Sequence, residues 1–279
     1  MRTLLARANI FTLLDHIDRQ PPSYQLPRQQ ALRRVFITLA TVSVCLLLVH
    51  YGKNSSNLIW LLRRSSELLG QPANRLVHQL QQSGWLELTG YAWWSSVHLL
   101  GYVLLPWLVI RRLLKLSMAD MGWRLADTGQ HWLGYVLLTA PILVFIYLVS
   151  LGQDFVNHYP FYSQSGRSWV DLLSWECLYI AQFVFLEFFF RGFLLNALRP
   201  ALGANAIWVM CLPYLMIHFP KLWLEASGAI LFGLFLGILA LRSRSIWGGV
   251  AVHITIALTM DIAALLRKGA LPELWWPLL

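Results

Sequence analysis

Charge is what this 279-residue chain has least of. Asp, Glu, Lys and Arg make up 13% of it, against 57% hydrophobic residues. Soluble domains carry roughly 25% charged residues, so a soluble globular protein is excluded. Acid is scarcer than base, with 13 Asp and Glu against 22 Lys and Arg and a formal net charge of +9. Cysteine is scarce too: Cys45, Cys177 and Cys211 all lie in apolar runs, without C-x-x-C spacing. A disulfide framework and a thiolate zinc site are therefore excluded, which leaves small buried hydrophobes. The sequence has no H-E-x-x-H motif, no internal repeat, no low-complexity tract and no soluble domain of useful size. No soluble segment carries a basic stripe with interleaved aromatics, so nucleic acid is not an expected partner.

What the chain does have is apolar length. A spanning helix needs about 20 residues, and runs of that order lie at 35–51, 91–110, 131–152, 170–197, 202–219, 224–241 and 246–266. The expected fold is all-α, a polytopic transmembrane helix bundle of about seven or eight spans with membrane lipids as its surroundings. The fourth run is too long for one perpendicular crossing and must tilt or project. Several of the 14 Trp flank these runs (Trp93, Trp94, Trp132, Trp169, Trp247, Trp275, Trp276), as in an interfacial aromatic belt.

The ends and loops set the organisation. In residues 1–20, Arg2, Arg7, Asp15, Asp18 and Arg19 interrupt the apolar residues, which reads as a surface amphipathic helix rather than a signal peptide, closed by Pro21-Pro22. Arg28, Arg33 and Arg34 precede the first run, Arg111, Arg112, Lys115 and Arg124 follow the second, Arg199 follows the fourth, and Arg242 and Arg244 follow the sixth. The positive-inside rule puts all of these on the cytoplasmic side if the N-terminus is cytoplasmic. The segment 52–90 is then extracytoplasmic. It holds two amphipathic stretches, about 57–69 and 73–83, broken near Gly70-Gln71-Pro72. Three regions follow: 1–34, a cytoplasmic amphipathic segment; 35–168, the N-terminal spans with the 52–90 segment; and 169–279, a polar-cored membrane region. The stripe Ala229-x-x-x-Gly233-x-x-x-Gly237 is expected to serve close helix packing only.

The polar core is the informative part. Glu176, Glu187, Arg191, His218, Glu225, His253 and Asp261 all sit in or beside apolar runs of the C-terminal half, whereas the N-terminal half offers mainly His50 and His98. Ionisable groups at membrane depth are costly and mark functional sites by default. Glu187 and Arg191 stand four apart, on one helix face, inside Phe183-Val184-Phe185-Leu186-Glu187-Phe188-Phe189-Phe190-Arg191-Gly192-Phe193-Leu194-Leu195. Measured from the turns near 200 and 244 at 1.5 Å per residue, Glu187 lies about 20 Å deep, His253 about 13 Å, His218 about 27 Å and Asp261 about 25 Å. These depths permit one shared cavity. Taken singly, each residue also has a structural explanation. Glu187 and Arg191 could be a buried ion pair, His253 a core histidine, His218 an interfacial residue, Glu225 a helix-N-terminal charge, Asp261 a packing residue and Glu176 a portal residue. Two carboxylates with two histidines could equally be acid–base machinery or a metal site.

The pattern Glu187-x-x-x-Arg191, then His218-Phe219-Pro220-Lys221 with Glu225, then Arg242-Ser243-Arg244-Ser245-Ile246 before His253 resembles the CAAX-protease and bacteriocin-processing (CPBP, or Abi) family of intramembrane proteases. The resemblance covers about 175–262. It implies hydrolysis of a peptide bond of a membrane-associated or lipid-modified protein or peptide by carboxylate-activated water. Glu187, Arg191, His218 and His253 would form the site, with Glu225 and Asp261 as further candidates. The histidines would orient the water, stabilise the oxyanion or hold a divalent metal such as zinc. The expected location is a bacterial inner membrane. Two positions depart from the family pattern: Leu186 stands where a first glutamate is usual, and Ala257 where a polar residue follows the last histidine. Two alternatives stay open, a catalytically inactive scaffold or immunity-type protein on the same fold and a proton-coupled transporter.

Overall fold

A computed structural model describes residues 9–19, 26–221 and 223–277. All regular structure among these residues is helical. In chain order the α-helices are α1 (Ile10–Arg19), α2 (Arg28–Gly52), α3 (Ser55–Leu68), α4 (Arg75–Gln82), α5 (Leu86–His98), α6 (Leu105–Val109), α7 (Trp132–Val149), α8 (Gln153–His158), α9 (Trp169–Glu187), α10 (Leu195–Leu202), α11 (Ala206–Met216), α12 (Trp223–Ser243) and α13 (Trp247–Lys268). Wider π-type turns at Leu99–Leu104 and Ile110–Leu114 carry α5 and α6 on as one rod, and another at Phe188–Leu194 joins α9 to α10. The residues before Asn9, and Pro21-Pro22, lie outside the described residues, so the amphipathic reading is met only over α1.

Six helical runs are long and apolar enough to cross a membrane: Arg28–Gly52, Leu86–Leu114, Thr128–Val149, Trp169–Met216, Trp223–Ser243 and Trp247–Lys268. The protein is thus a polytopic helical membrane protein, with six such runs where the sequence suggested seven. The difference lies at 202–219. The helix there, α11, has 11 residues, about 16 Å at 1.5 Å each, short of a hydrocarbon core about 30 Å thick. It is the last part of a 48-residue run broken at Gly203. Gly203 has φ +57° and ψ −139°, a conformation that side chains oppose, and there α10 ends. The first run also starts earlier than 35, because Arg28–Arg34 already belongs to α2.

The chain forms two compact units. The first comprises Met1–Val44, Tyr102–Leu138 and Leu186–Val252. Within it, α1 is docked rather than lying loose on a surface. Ile17 is buried, and the Asp18 carboxylate accepts a hydrogen bond from the Ala204 amide at 2.6 Å, capping the turn that opens α11. The small-residue stripe of α12 serves as expected. A side chain on Gly233 would come within 2.9 Å of Cys211 Sγ, and one on Gly237 within 3.0 Å of Ile207 Cγ2, so α11 and α12 pack closely. The turn between α12 and α13 is tied to the segment before α7: Asp127 N–H donates to the Ser243 carbonyl, Arg244 pairs with Asp127, and Ile246 N–H donates to the Gly122 carbonyl.

The second unit comprises Cys45–Gly101, Thr139–Phe185 and His253–Leu279. The two amphipathic stretches of 52–90 are α3 and α4, separated at Gly70 (φ +70°). Gly101 lets its rod approach α2, since a side chain there would meet Val49 Cγ2 at 2.5 Å. One core cluster is aromatic, with Tyr162, Trp175 and Tyr179 buried against Leu88 and Ala257. Beside it, buried Asp171 near the start of α9 accepts hydrogen bonds from Arg167 (2.9 and 2.7 Å), Ser168 Oγ (2.6 Å) and Tyr162 OH (2.6 Å). Burial and the Asp171 carboxylate push the Tyr162 phenol well above its ordinary range, and the same carboxylate raises Arg167. Of the cysteines, Cys45 and Cys211 are buried as expected and Cys177 is exposed on the apolar surface of α9.

Candidate active site

In the first unit the polar residues converge on Tyr214. The Glu187 and Arg191 side chains are both 0% exposed and form an ion pair at 3.0 Å. The pair spans the junction where α9 gives way to the π-type turns of Phe188–Leu194, a feature often found at functional sites. Phe188, Phe189 and Phe190 are fully buried, so the phenylalanine run faces protein rather than lipid. Helix α13 reaches the carboxylate through Gly249, where a Cβ would stand 2.2 Å from Glu187 Oε2.

On its other side the Arg191 guanidinium lies 3.9 Å over the Tyr214 ring, a cation–π contact that gains strength where water is excluded. Tyr214 is buried on α11, one helical turn before His218. His218 Nδ1 lies 2.7 Å from the Tyr214 carbonyl oxygen, and the two rings are 4.6 Å apart. A carbonyl only accepts, so Nδ1 carries the proton of this bond. In the neutral ring the lone pair then sits on Nε2. His218 is half-buried and lies beyond the end of α11, beside Phe219 (64% exposed) and Trp223 (74% exposed). Glu225, in the first turn of α12, pairs with Lys221 at 3.1 Å with both side chains about a third exposed.

His253 and Asp261 belong to the second unit. The His253 ring stacks on Phe183, with centroids 5.4 Å apart and planes within 14°. Asp261 is 0% exposed and accepts a hydrogen bond from Trp175 Nε1 at 2.7 Å. Ala257, one turn earlier on α13, is packed against Trp175 and Tyr179. The apolar residue at this departure from the family pattern thus completes an aromatic core, and the nearest polar group comes one turn later. Glu176 is buried within electrostatic reach of Asp261 rather than at a portal, and neither of its carboxylate oxygens has a hydrogen-bond partner in the protein.

Among the described residues no group of three or more His, Cys, Asp or Glu could hold a metal ion. The donor set therefore does not fit the divalent metal that the resemblance admits. Sequence reasoning missed Tyr214, Tyr135 and the glycine pair Gly248-Gly249. Only Tyr214 carried a signal, its spacing of four before His218.

A helical membrane protein with a sealed carboxylate–guanidinium pair on one helix, and a histidine of fixed tautomer after the next, belongs in shape to the membrane-embedded proteases. Residues 168–259 match the family model described as type II CAAX prenyl endopeptidase Rce1-like. The match covers about a third of the chain, from the start of α9 into α13, and spans Glu187, Arg191, His218, Glu225 and His253. No curated protein and no solved structure matches the chain.

Proposed function

We propose that the protein is an intramembrane endopeptidase that cleaves a membrane-associated or lipid-modified peptide, with its N-terminus cytoplasmic and His218 as the group that activates water. The observation that carries this reading is the 2.7 Å contact between His218 Nδ1 and the Tyr214 carbonyl. It leaves Nε2 as the nitrogen able to take a proton from water as the oxygen attacks the scissile carbonyl, and the imidazolium can then return that proton to the leaving amine. The role expected for a carboxylate passes to His218 because Glu187 has no exposed surface, and a general base must come within hydrogen-bond reach of the water it deprotonates. Glu187 serves instead to hold Arg191 against Tyr214. The exposed Phe219 and Trp223 suit the membrane–water interface, where a lipid-anchored peptide meets water. His253 and Asp261 remain candidates to be tested by substitution.

The test uses purified protein in lipid nanodiscs with fluorescent prenylated and unprenylated C-terminal peptides. Cleavage by the wild type that falls about 10²-fold or more in His218→Ala is the expected result, the scale of a lost general base. Equal rates for wild type and His218→Ala would falsify the assignment. A second reading, a non-catalytic scaffold that binds such peptides, is favoured by Leu186 together with the complete burial of Glu187. It predicts peptide binding without cleavage, and a cellular phenotype untouched by alanine at His218 and His253.

A further inference from the structure

The family match begins at residue 168, yet one wall of the Glu187 site is built from well before it. Tyr135, on α7, is buried, and its hydroxyl lies 3.0 Å from Ser243 Oγ. Ser243 Oγ in turn donates to the Ser245 carbonyl at 3.3 Å. A serine hydroxyl has one proton, so the Tyr135 phenol is the donor of its pair. Ser245 Oγ then accepts from the Trp247 amide at 3.1 Å, at the first residue of α13. Tyr135 thus reaches, through two serines, the helix start that faces Glu187.

The packing makes the link tighter. A Cβ on Gly248 would stand 2.0 Å from Tyr135 Cζ, and a Cβ on the next residue, Gly249, 2.2 Å from Glu187 Oε2. Consecutive residues in the first turn of α13 are therefore two notches, one filled by the Tyr135 ring and one by the Glu187 carboxylate. Tyr135 also lies within reach of the Glu187 charge.

We infer that Tyr135 is a positioning residue for Glu187, fixing through Ser243 and Gly248 how deeply the start of α13 sits against the carboxylate. Glu187 holds Arg191, Arg191 faces the Tyr214 ring, and the Tyr214 carbonyl orients His218, so a shift of that first turn is passed to the imidazole. The kinetic consequence rests on the peptidase reading, whereas the structural one does not.

A double-mutant cycle with Tyr135→Phe and Glu187→Gln, in nanodiscs, separates the two. Tyr135→Phe keeps the ring and removes the hydroxyl donation. Its kcat on the prenylated peptide is expected to fall about fivefold, the net worth of one hydrogen bond, with KM unchanged. Ser243→Ala should reproduce this, while Tyr147→Phe, exposed on the same helix, changes neither constant. In thermal unfolding, Tyr135→Phe and Glu187→Gln should combine non-additively, as linked residues do. Additive shifts in the unfolding midpoint overturn the inference, as does a lower midpoint with kcat per folded molecule unchanged. If the wild type cleaves no peptide, the peptidase reading fails, and coupling or additivity in the midpoint alone still decides the role of Tyr135.

Discussion

Arg191 faces two unlike partners: the Glu187 carboxylate at 3.0 Å, and the face of the Tyr214 ring, 3.9 Å from the guanidinium carbon. One partner neutralises its charge, and the other spends the same charge on fixing a second helix. Both partners are buried, so removing either leaves a cation in a setting that cannot hydrate it.

Glu187→Ala should therefore destabilise the protein by about 3–5 kcal/mol, the range for breaking a buried pair from one side. The double substitution Glu187→Leu with Arg191→Met removes both charges and should unfold later than either single variant. Unfolding midpoints in detergent measure this. A double variant as unstable as the two singles added together would show that the pair stabilises in its own right.

Gly249 gives a steric version of the same experiment. A Cβ there meets Glu187 Oε2 at 2.2 Å, whereas at Gly228 on α12 it meets nothing within 4 Å. Gly249→Ala should cost about 1–3 kcal/mol through overpacking. Gly228→Ala should be neutral or gain up to about 1 kcal/mol from helix propensity. Similar midpoints for the two variants would mean that α13 can slide away from the carboxylate freely.

The Trp175–Asp261 hydrogen bond separates an anchor from a reacting group. Trp175→Phe removes a donor to a buried carboxylate and should cost about 1.5–3 kcal/mol, the worth of a hydrogen bond to a charged group. Asp261→Asn keeps an accepting oxygen and should cost less. If Asp261→Asn instead abolishes cleavage with the midpoint unchanged, Asp261 takes part in the chemistry.

The Tyr162 phenol sets an alkaline limit. Its proton is held more tightly in the folded protein than in the unfolded chain. The resulting stability is complete below the unfolded value of about 10 and is lost as pH rises above it, because the unfolded state then releases a proton that the folded state keeps. Unfolding midpoints should fall above about pH 10, and Tyr162→Phe should flatten that limb. A limb equally steep in the variant assigns it to other groups.

Much of the fold was readable because membranes impose simple rules. Apolar length marked the helices, Gly70-Gln71-Pro72 marked the break between α3 and α4, and Ala229, Gly233 and Gly237 marked the face that α11 covers. Glu187 and Arg191 were conspicuous as charges among phenylalanines. Tyr214 was not, since a tyrosine in an apolar run looks like packing, and its importance comes from a carbonyl and a ring face rather than from its hydroxyl. Tyr135 and Gly248 were hidden for a different reason: the contact joins residues more than a hundred positions apart, and no local pattern encodes it. The short α11 was misread because hydropathy measures how apolar a run is and not whether it stays straight, and Gly203 turns the chain within that run.

The π-type turns at Phe188–Leu194 make chain length itself a constraint. Such a segment accommodates an extra residue relative to α geometry, so deleting one residue there restores a regular helix and swings everything after it by about 100°. Leu195, Ala197 and Leu198, now fully buried, would turn out of the core while Glu187 stayed in place. The number of residues between Glu187 and Leu195 is therefore fixed more tightly than their identity.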